Sequence, residues 1–184
     1  MGGYYGTAEV RSDIVAIRQF YPTEPWLPDE NGRANGVFVR VYFVAPRSQH
    51  GEFKGVFVRG SIKAAIDALN PRSGGGYERE RLHEWTFTPR QAAGLRLSRP
   101  SIMGDSYGLV LRWPAELDVQ GREIQFVISY QRGDGEVVAR RGSRFRVPLP
   151  DGQSYREPIQ GERRPRRAES QPAEAAPPRE SGQQ

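Results

Sequence analysis

The chain has two histidines and no cysteine, which narrows its chemistry at once. His50 lies in the loop-like run Ser48-Gln49-His50-Gly51, and His83 lies on an alternating segment beside Trp85. Two imidazoles cannot make a three-histidine zinc site. Without cysteine there is no thiolate ligand, thiol nucleophile or disulfide. A general base needs a nucleophile and an orienting group within hydrogen-bond reach. Two isolated histidines more often serve as one surface and one half-buried side chain. Gly74-Gly75-Gly76 lacks the Gly-Lys-Ser/Thr of a phosphate loop and the alternating glycines of a dinucleotide turn. It reads as a hairpin tip, and no nucleophile elbow of the Gly-x-Ser-x-Gly kind is expected. Asp29-Glu30-Asn31 and Asp134 offer oxygens of the sort calcium takes, but not at EF-hand spacing, and polar turns explain them. No catalytic residue, metal ligand or cofactor is therefore assigned.

Binding residues are the better lead. Trp26 stands in Pro22-Thr23-Glu24-Pro25-Trp26-Leu27-Pro28, which reads as a proline-stiffened loop. An exposed aromatic there could stack on a sugar ring or pack on a partner protein, or cap one end of the domain. Trp85 and Trp113 fall on strands and read as core. Of 27 basic residues only Lys54 and Lys63 are lysine; the rest are arginine, and the formal net charge is +5. Residues 151–184 hold six arginines and six acids, so the excess belongs to residues 1–150. Within that tail Arg163, Arg164, Arg166 and Arg167 cluster as a candidate hook for anionic surfaces, or as part of a solvated low-complexity stretch. The run from Arg140 to Arg146 interleaves only Phe145 with its charges, which disfavours nucleic acid as a partner. Arginines on an exposed strand edge also guard against edge-to-edge association.

The surrounding elements are β. Val37, Val39, Val41 and Phe43 alternate with Phe38, Arg40, Tyr42 and Val44, and both sets are largely apolar, as in a central strand. Tyr107, Leu109, Leu111 and Trp113 form one apolar face; Ile124, Phe126, Ile128 and Tyr130 form another. Gly133-Asp134-Gly135 marks a hairpin, and Pro22, Pro46 and Pro114 close strands. Ser61–Leu69 fits either strand or helix spacing; its β neighbours favour strand. Thr88-Pro89 with Gln91 and Gly94 predicts one short helical turn crossing between sheets. Seven strands follow, at about 13–21, 36–45, 56–69, 81–88, 107–113, 123–131 and 136–147. This predicts an all-β, antiparallel β-sandwich over 13–149, with a closed barrel as the alternative. Residues 1–12 read as an extended lead-in and 150–184 as a disordered Pro/Arg/Glu-rich tail.

The order of strands bearing His83-Glu84-Trp85-Thr86-Phe87, Tyr107–Trp113, Ile124–Ile128 and Arg146-Val147-Pro148 resembles immunoglobulin-like or fibronectin-III-like sandwiches. It is most similar to uncharacterised single-domain bacterial proteins of that kind. The resemblance implies a fold and supplies no functional residue; such relatives are often exported or lipid-anchored. The start of this chain has no cationic and apolar leader pattern, so the expectation is a cytoplasmic protein or one whose upstream segment is missing. No apolar run reaches the ~18–20 residues of a membrane span. The functional expectation is a non-catalytic interaction or scaffold module with an unknown protein or glycan partner. A carbohydrate-binding module and anionic-surface binding through the arginine cluster are the alternatives.

The tail reading has a direct test. Deleting residues 151–184 is expected to leave the thermal midpoint within about a degree or two of the full chain, because so polar a segment adds few apolar contacts. Calorimetry on both forms checks it, and a drop of many degrees would mean that Tyr155 and Ile159 belong to the core.

Overall fold

The structure is a computed structural model that describes residues 9–150. Arg163, Arg164, Arg166 and Arg167, with all of the expected tail beyond Pro150, lie outside the described residues. The chain order is β1 (Val10–Arg11), β2 (Ala16–Phe20), β3 (Trp26–Pro28), β4 (Ala34–Val44), β5 (Arg47–Ser48), β6 (Gly51–Glu52), β7 (Gly55–Val58), β8 (Ile62–Pro71), β9 (Tyr77–Phe87), α1 (Pro89–Gly94), β10 (Tyr107–Arg112), β11 (Glu123–Gln131) and β12 (Val137–Arg146). The described residues are thus all-β with one short helix.

β4 organises the first sheet. One of its edges carries β2 and then β3, with Ile17 opposite Phe43 and Trp26 opposite Val37. The other carries β10, with Leu109 opposite Val39, and β7, with Val56 opposite Phe43. β1 joins β7 in parallel, so Val10 and Arg11 of the expected lead-in add a strand to this sheet. The second sheet is antiparallel throughout, in the order β12-β11-β8-β9. β5 and β6 make a separate two-residue hairpin.

Alternation then dictates the core. Val37, Val39, Val41 and Phe43 of β4 and Tyr107, Leu109 and Leu111 of β10 are fully buried. They share one apolar cluster with Ile124, Phe126 and Ile128 of β11 and Ile62, Ala64 and Ile66 of β8. Tyr107 fills the centre edge-on to Phe43 and Phe57, at 5.6 and 5.4 Å between ring centroids. Its hydroxyl accepts the Val58 N–H at 2.8 Å, so the buried phenol keeps a partner. Trp113 is buried as expected, but Trp85, read as core, is half-buried, and so is Phe87, also expected inside, because both lie on β9, an edge strand of the second sheet.

Three expectations need correction. The run 56–69 is not one strand: β7 pairs in the first sheet and β8 in the second, and the chain changes sheets at Gly60, whose φ of +127° suits glycine alone. Trp26 is not in a loop; it lies in β3, because backbone pairing to Val37 overrides the flanking prolines. The strand expected over 13–21 covers only Ala16–Phe20. The other extra strands, β1, β5 and β6, are two residues each, too short for periodicity to reveal.

The short helix forms as expected. Thr88 caps it: Oγ1 accepts the Gln91 N–H at 3.3 Å, and Gln91 Oε1 accepts the Thr88 N–H at 2.9 Å. The helix carries the chain from β9 to β10, from one sheet to the other. At the same side Trp85 Nε1 donates to the Arg112 carbonyl at 2.8 Å, linking the ends of these two strands.

Phe126 tests the registers. It is fully buried, so Phe126→Ala is expected to cost ~3–5 kcal/mol of a total near ~5–15 kcal/mol. Denaturant unfolding measures this; a loss below ~1 kcal/mol would mean that the faces of β11 are reversed.

Candidate functional site

Among the described residues three places combine polar side chains with a groove, a hairpin or a cavity. The first is a seam between the edges of the two sheets. β2 pairs only with β4, and β12 only with β11, and their free edges flank a groove of about 650 Å³. Its walls are Val15–Phe20 and Val138–Ser143. Gln19 clasps it: Nε2 donates to the Arg140 carbonyl at 2.7 Å, while Oε1 accepts the Tyr21 hydroxyl at 2.5 Å. Tyr21 packs edge-on to Phe145 at 4.7 Å, and burial pushes its phenol pKa up. Glycine at 142 leaves room for this pair, since a Cβ there would lie 2.4 Å from the Tyr21 hydroxyl and 2.6 Å from Gln19 Oε1 and would displace them.

A bulge sets the arginines of β12. Ile128 faces Arg140 and Val127 faces Arg141, but the register slips between Val127 and Gln125, so that Gln125 faces Arg144 and Ile124 faces Phe145. Cross-strand partners share a face, so Arg140 stands on the core-facing side of β12 and Arg141 on the outer side. The sequence run Arg140–Arg146 is therefore not one basic face. Across the groove Arg18 stands on the outer face of β2, opposite Tyr42. Arg18, Arg140 and Arg141 are exposed, and none has an ion-pair partner among the described residues.

The second place is a network under the β5–β6 hairpin. Arg11 pairs with Glu9 and Asp13, both at 2.6 Å, and donates to the Arg47 carbonyl at 2.7 Å. Glu9 also accepts the Gln49 N–H at 2.7 Å. That backbone donor, followed by Arg11, holds the Glu9 carboxyl below the usual carboxylate range; Arg11 does the same for Asp13. His50 Nε2 lies 3.1 Å from Oδ2 of the buried Asp105. This is no catalytic triad. The Ser48 hydroxyl donates to the Gly51 carbonyl and accepts the His50 backbone N–H, so it serves the turn rather than the imidazole.

One motif escaped the sequence reading. Gly104-Asp105-Ser106-Tyr107-Gly108 has the spelling of a nucleophile elbow, contrary to the expectation that none occurs. It leads into β10 rather than turning from a strand into a helix, and Ser106 is 1% exposed. Its hydroxyl has no hydrogen-bond partner in the structure, so nothing there activates it.

The third place is a cavity of about 790 Å³ beside Trp113, at the start of β4. Arg112 reaches Asn35 Oδ1 and, at 3.4 Å, the Pro28 carbonyl. Gln120 Nε2 donates to the Ala34 carbonyl at 2.8 Å, and its buried Oε1 is left without a partner. Asp29 is committed to its turn: Oδ1 accepts the N–H of Asn31 and Arg33, and Oδ2 pairs with Arg33 at 3.0 Å. Asp134 pairs with Arg132 in the β11–β12 turn. Among the described residues no cluster of three or more His, Asp or Glu could hold a metal.

Of the predicted binding residues only Trp26 is described. It is half-buried on β3 and meets Phe145 edge-on at 5.9 Å, so part of its ring is already covered. His83 lies 4.8 Å from Trp85, ring to ring, on the outer strand of the second sheet. No helix among the described residues is long and apolar enough to cross a membrane.

No family model and no curated protein matches the chain. A solved structure that aligns with it is Spo0M, a sporulation control protein from Bacillus subtilis, at 10% identity and a TM-score of 0.36. The alignment covers 73% of this chain and 49% of that one, so this chain spans about half the length of that protein.

The Arg11 network predicts an acid response. Carboxyls held low in the folded state stabilise it fully above their unfolded values near ~4, and the gain is lost as pH falls through the folded values. Melting curves from about pH 7 to about pH 3 should show Arg11→Ala melting below the parent at neutral pH and the two converging in acid. A constant gap across that range would show that these carboxylates are not linked to folding.

Proposed function

We propose that the chain is a non-catalytic interaction module built on an immunoglobulin-like β-sandwich. Two sheets with one common apolar cluster support the sandwich. The connectivity supports the finer likeness. The long strands fall as β2-β4-β10 in one sheet and β12-β11-β8-β9 in the other. That is the order of strands A-B-E and G-F-C-C′ in such sandwiches. β7 and β1 are additions to that plan. Fold alone does not supply function, so the site must carry the argument.

The observation that carries it is the groove between β2 and β12. It joins two free strand edges to three unpaired guanidinium groups, while the other polar clusters are engaged in holding turns and loops. His50, Asp105 and Ser48 serve the hairpin and its neighbours, and Ser106 is buried. A second reading, glycan binding, is favoured by the cavity beside Trp113, where Gln120 Oε1 lacks a partner. It draws on a different tryptophan from Trp26, the one the sequence favoured.

A panel of chromogenic esters, phosphoesters and glycosides, run alongside a glycan array, tests both readings. No turnover and a silent array are expected. Saturable turnover would overturn the module reading, and a reproducible glycan signal weakened by Gln120→Ala would replace it with the second.

A further inference from the structure

We propose that the groove between β2 and β12 takes an extended acidic segment of a partner protein. The segment adds as a strand to one of the two free edges and sets its carboxylates against Arg18, Arg140 and Arg141. The proposal rests on the module reading above and names the partner's chemistry.

An unpaired edge presents alternate N–H and C=O groups that pair readily with another chain. Proteins usually blunt such edges, and an arginine on the core-facing side, like Arg140, is one way to do so. Protection alone does not explain the groove. It requires no arginines on both banks of one channel, nor their lack of counter-ions. Arg11, Arg33, Arg81, Arg122 and Arg132 have carboxylate partners, and arginines without an ion pair elsewhere among the described residues, such as Arg40, Arg72 and Arg90, do not line this channel. Arg96 and Arg144 lie over aromatic rings. The groove, by contrast, has three arginines in its walls and no acid at all.

Charge selects the occupant. A second copy pairing β2 with β2, or β12 with β12, would set arginine against arginine. A nucleic-acid strand would want several ring faces between the charges, and the walls offer only Phe20, 48% exposed. An acidic peptide in strand conformation matches what is present. Main-chain pairing supplies affinity; carboxylates on the outer face meet Arg18 or Arg141, with the exposed Phe20 on the same outer face of β2, and those on the inner face meet Arg140. β2 is five residues long, about 17 Å at ~3.4 Å per residue, which fits a segment of similar length.

Fluorescence anisotropy on the full chain tests this with a labelled alternating Glu-Val peptide of about six residues. Comparison peptides replace Glu by Lys, or put proline at alternate positions while keeping the glutamates. An oligothymidylate of similar length is the fourth probe. The Glu-Val peptide is expected to bind at least ~10-fold more tightly than each of the others. Arg18→Glu with Arg140→Glu and Arg141→Glu should abolish the difference, and the milder Arg→Gln set should reduce it with an unchanged melting point.

Equal binding of the proline peptide would overturn strand addition, since only charge would remain. Equal binding of the oligothymidylate would overturn the choice of a protein partner. Silence towards the acidic peptide would sink the inference yet leave the module reading standing, which is decided separately by the substrate panel and the glycan array.

Discussion

Burial of the inward row of β4 is the interaction on which the rest depends. Val37, Val39, Val41 and Phe43 sit under the whole first sheet, and β2, β3, β7 and β10 all pair with this one strand. An eleven-residue strand with four neighbours is covered on both edges, so its main chain needs nothing from solvent. Its outward row can then be apolar too, with Tyr42 and Val44 buried and Arg40 exposed. The second sheet has to cover the same apolar face, and Ile62, Ile66, Phe126 and Ile128 do so.

Covering a face leaves edges. At the β9–β10 side the indole of Trp85 reaches the Arg112 carbonyl, and α1 carries the chain over between the sheets. At the β2–β12 side no such crossover exists among the described residues, and Gln19 clasps the seam through the Arg140 carbonyl. A side-chain hydrogen bond there satisfies one carbonyl of an edge strand but not its neighbours. The bulge in β12 belongs to the same problem. It turns Phe145 onto Tyr21 and Trp26, sealing one end of the seam, while Arg140 and Arg141 diverge at the other.

Polar side chains away from the seam act mainly as ties. Arg11 holds Glu9, Asp13 and the Arg47 carbonyl, and so joins β1 to the β5–β6 hairpin. Arg81 bonds the buried Asp67 on the outer side of the second sheet, where a lone carboxylate would be costly. His50 and Asp105 extend the hairpin's attachment to the chain entering β10. Carboxylates and the His50 imidazole engaged in this way hold loops at fixed distances.

The sequence by itself determined the β class, the inner faces of β4, β10 and β11, the Thr88 cap and the hairpin tips. All of these are local: alternation depends on neighbours two residues away, and a cap on neighbours three away. It could also set aside thiol chemistry, from composition alone. The division of 56–69 between two sheets was not legible, because both halves alternate correctly and only Gly60 marks the change. Trp26 looked like a loop residue because local proline signals say so, and its strand pairing comes from Val37, distant in the sequence. The spelling of Gly104–Gly108 suggests a nucleophile that burial of Ser106 removes. The groove was invisible for the same reason. Arg18 and Arg140 are far apart along the chain, and the bulge that parts Arg140 from Arg144 follows from β11–β12 register. Sequence patterns specify which side of a strand is apolar; only packing of the two sheets decides which edges remain open and which charges meet across them.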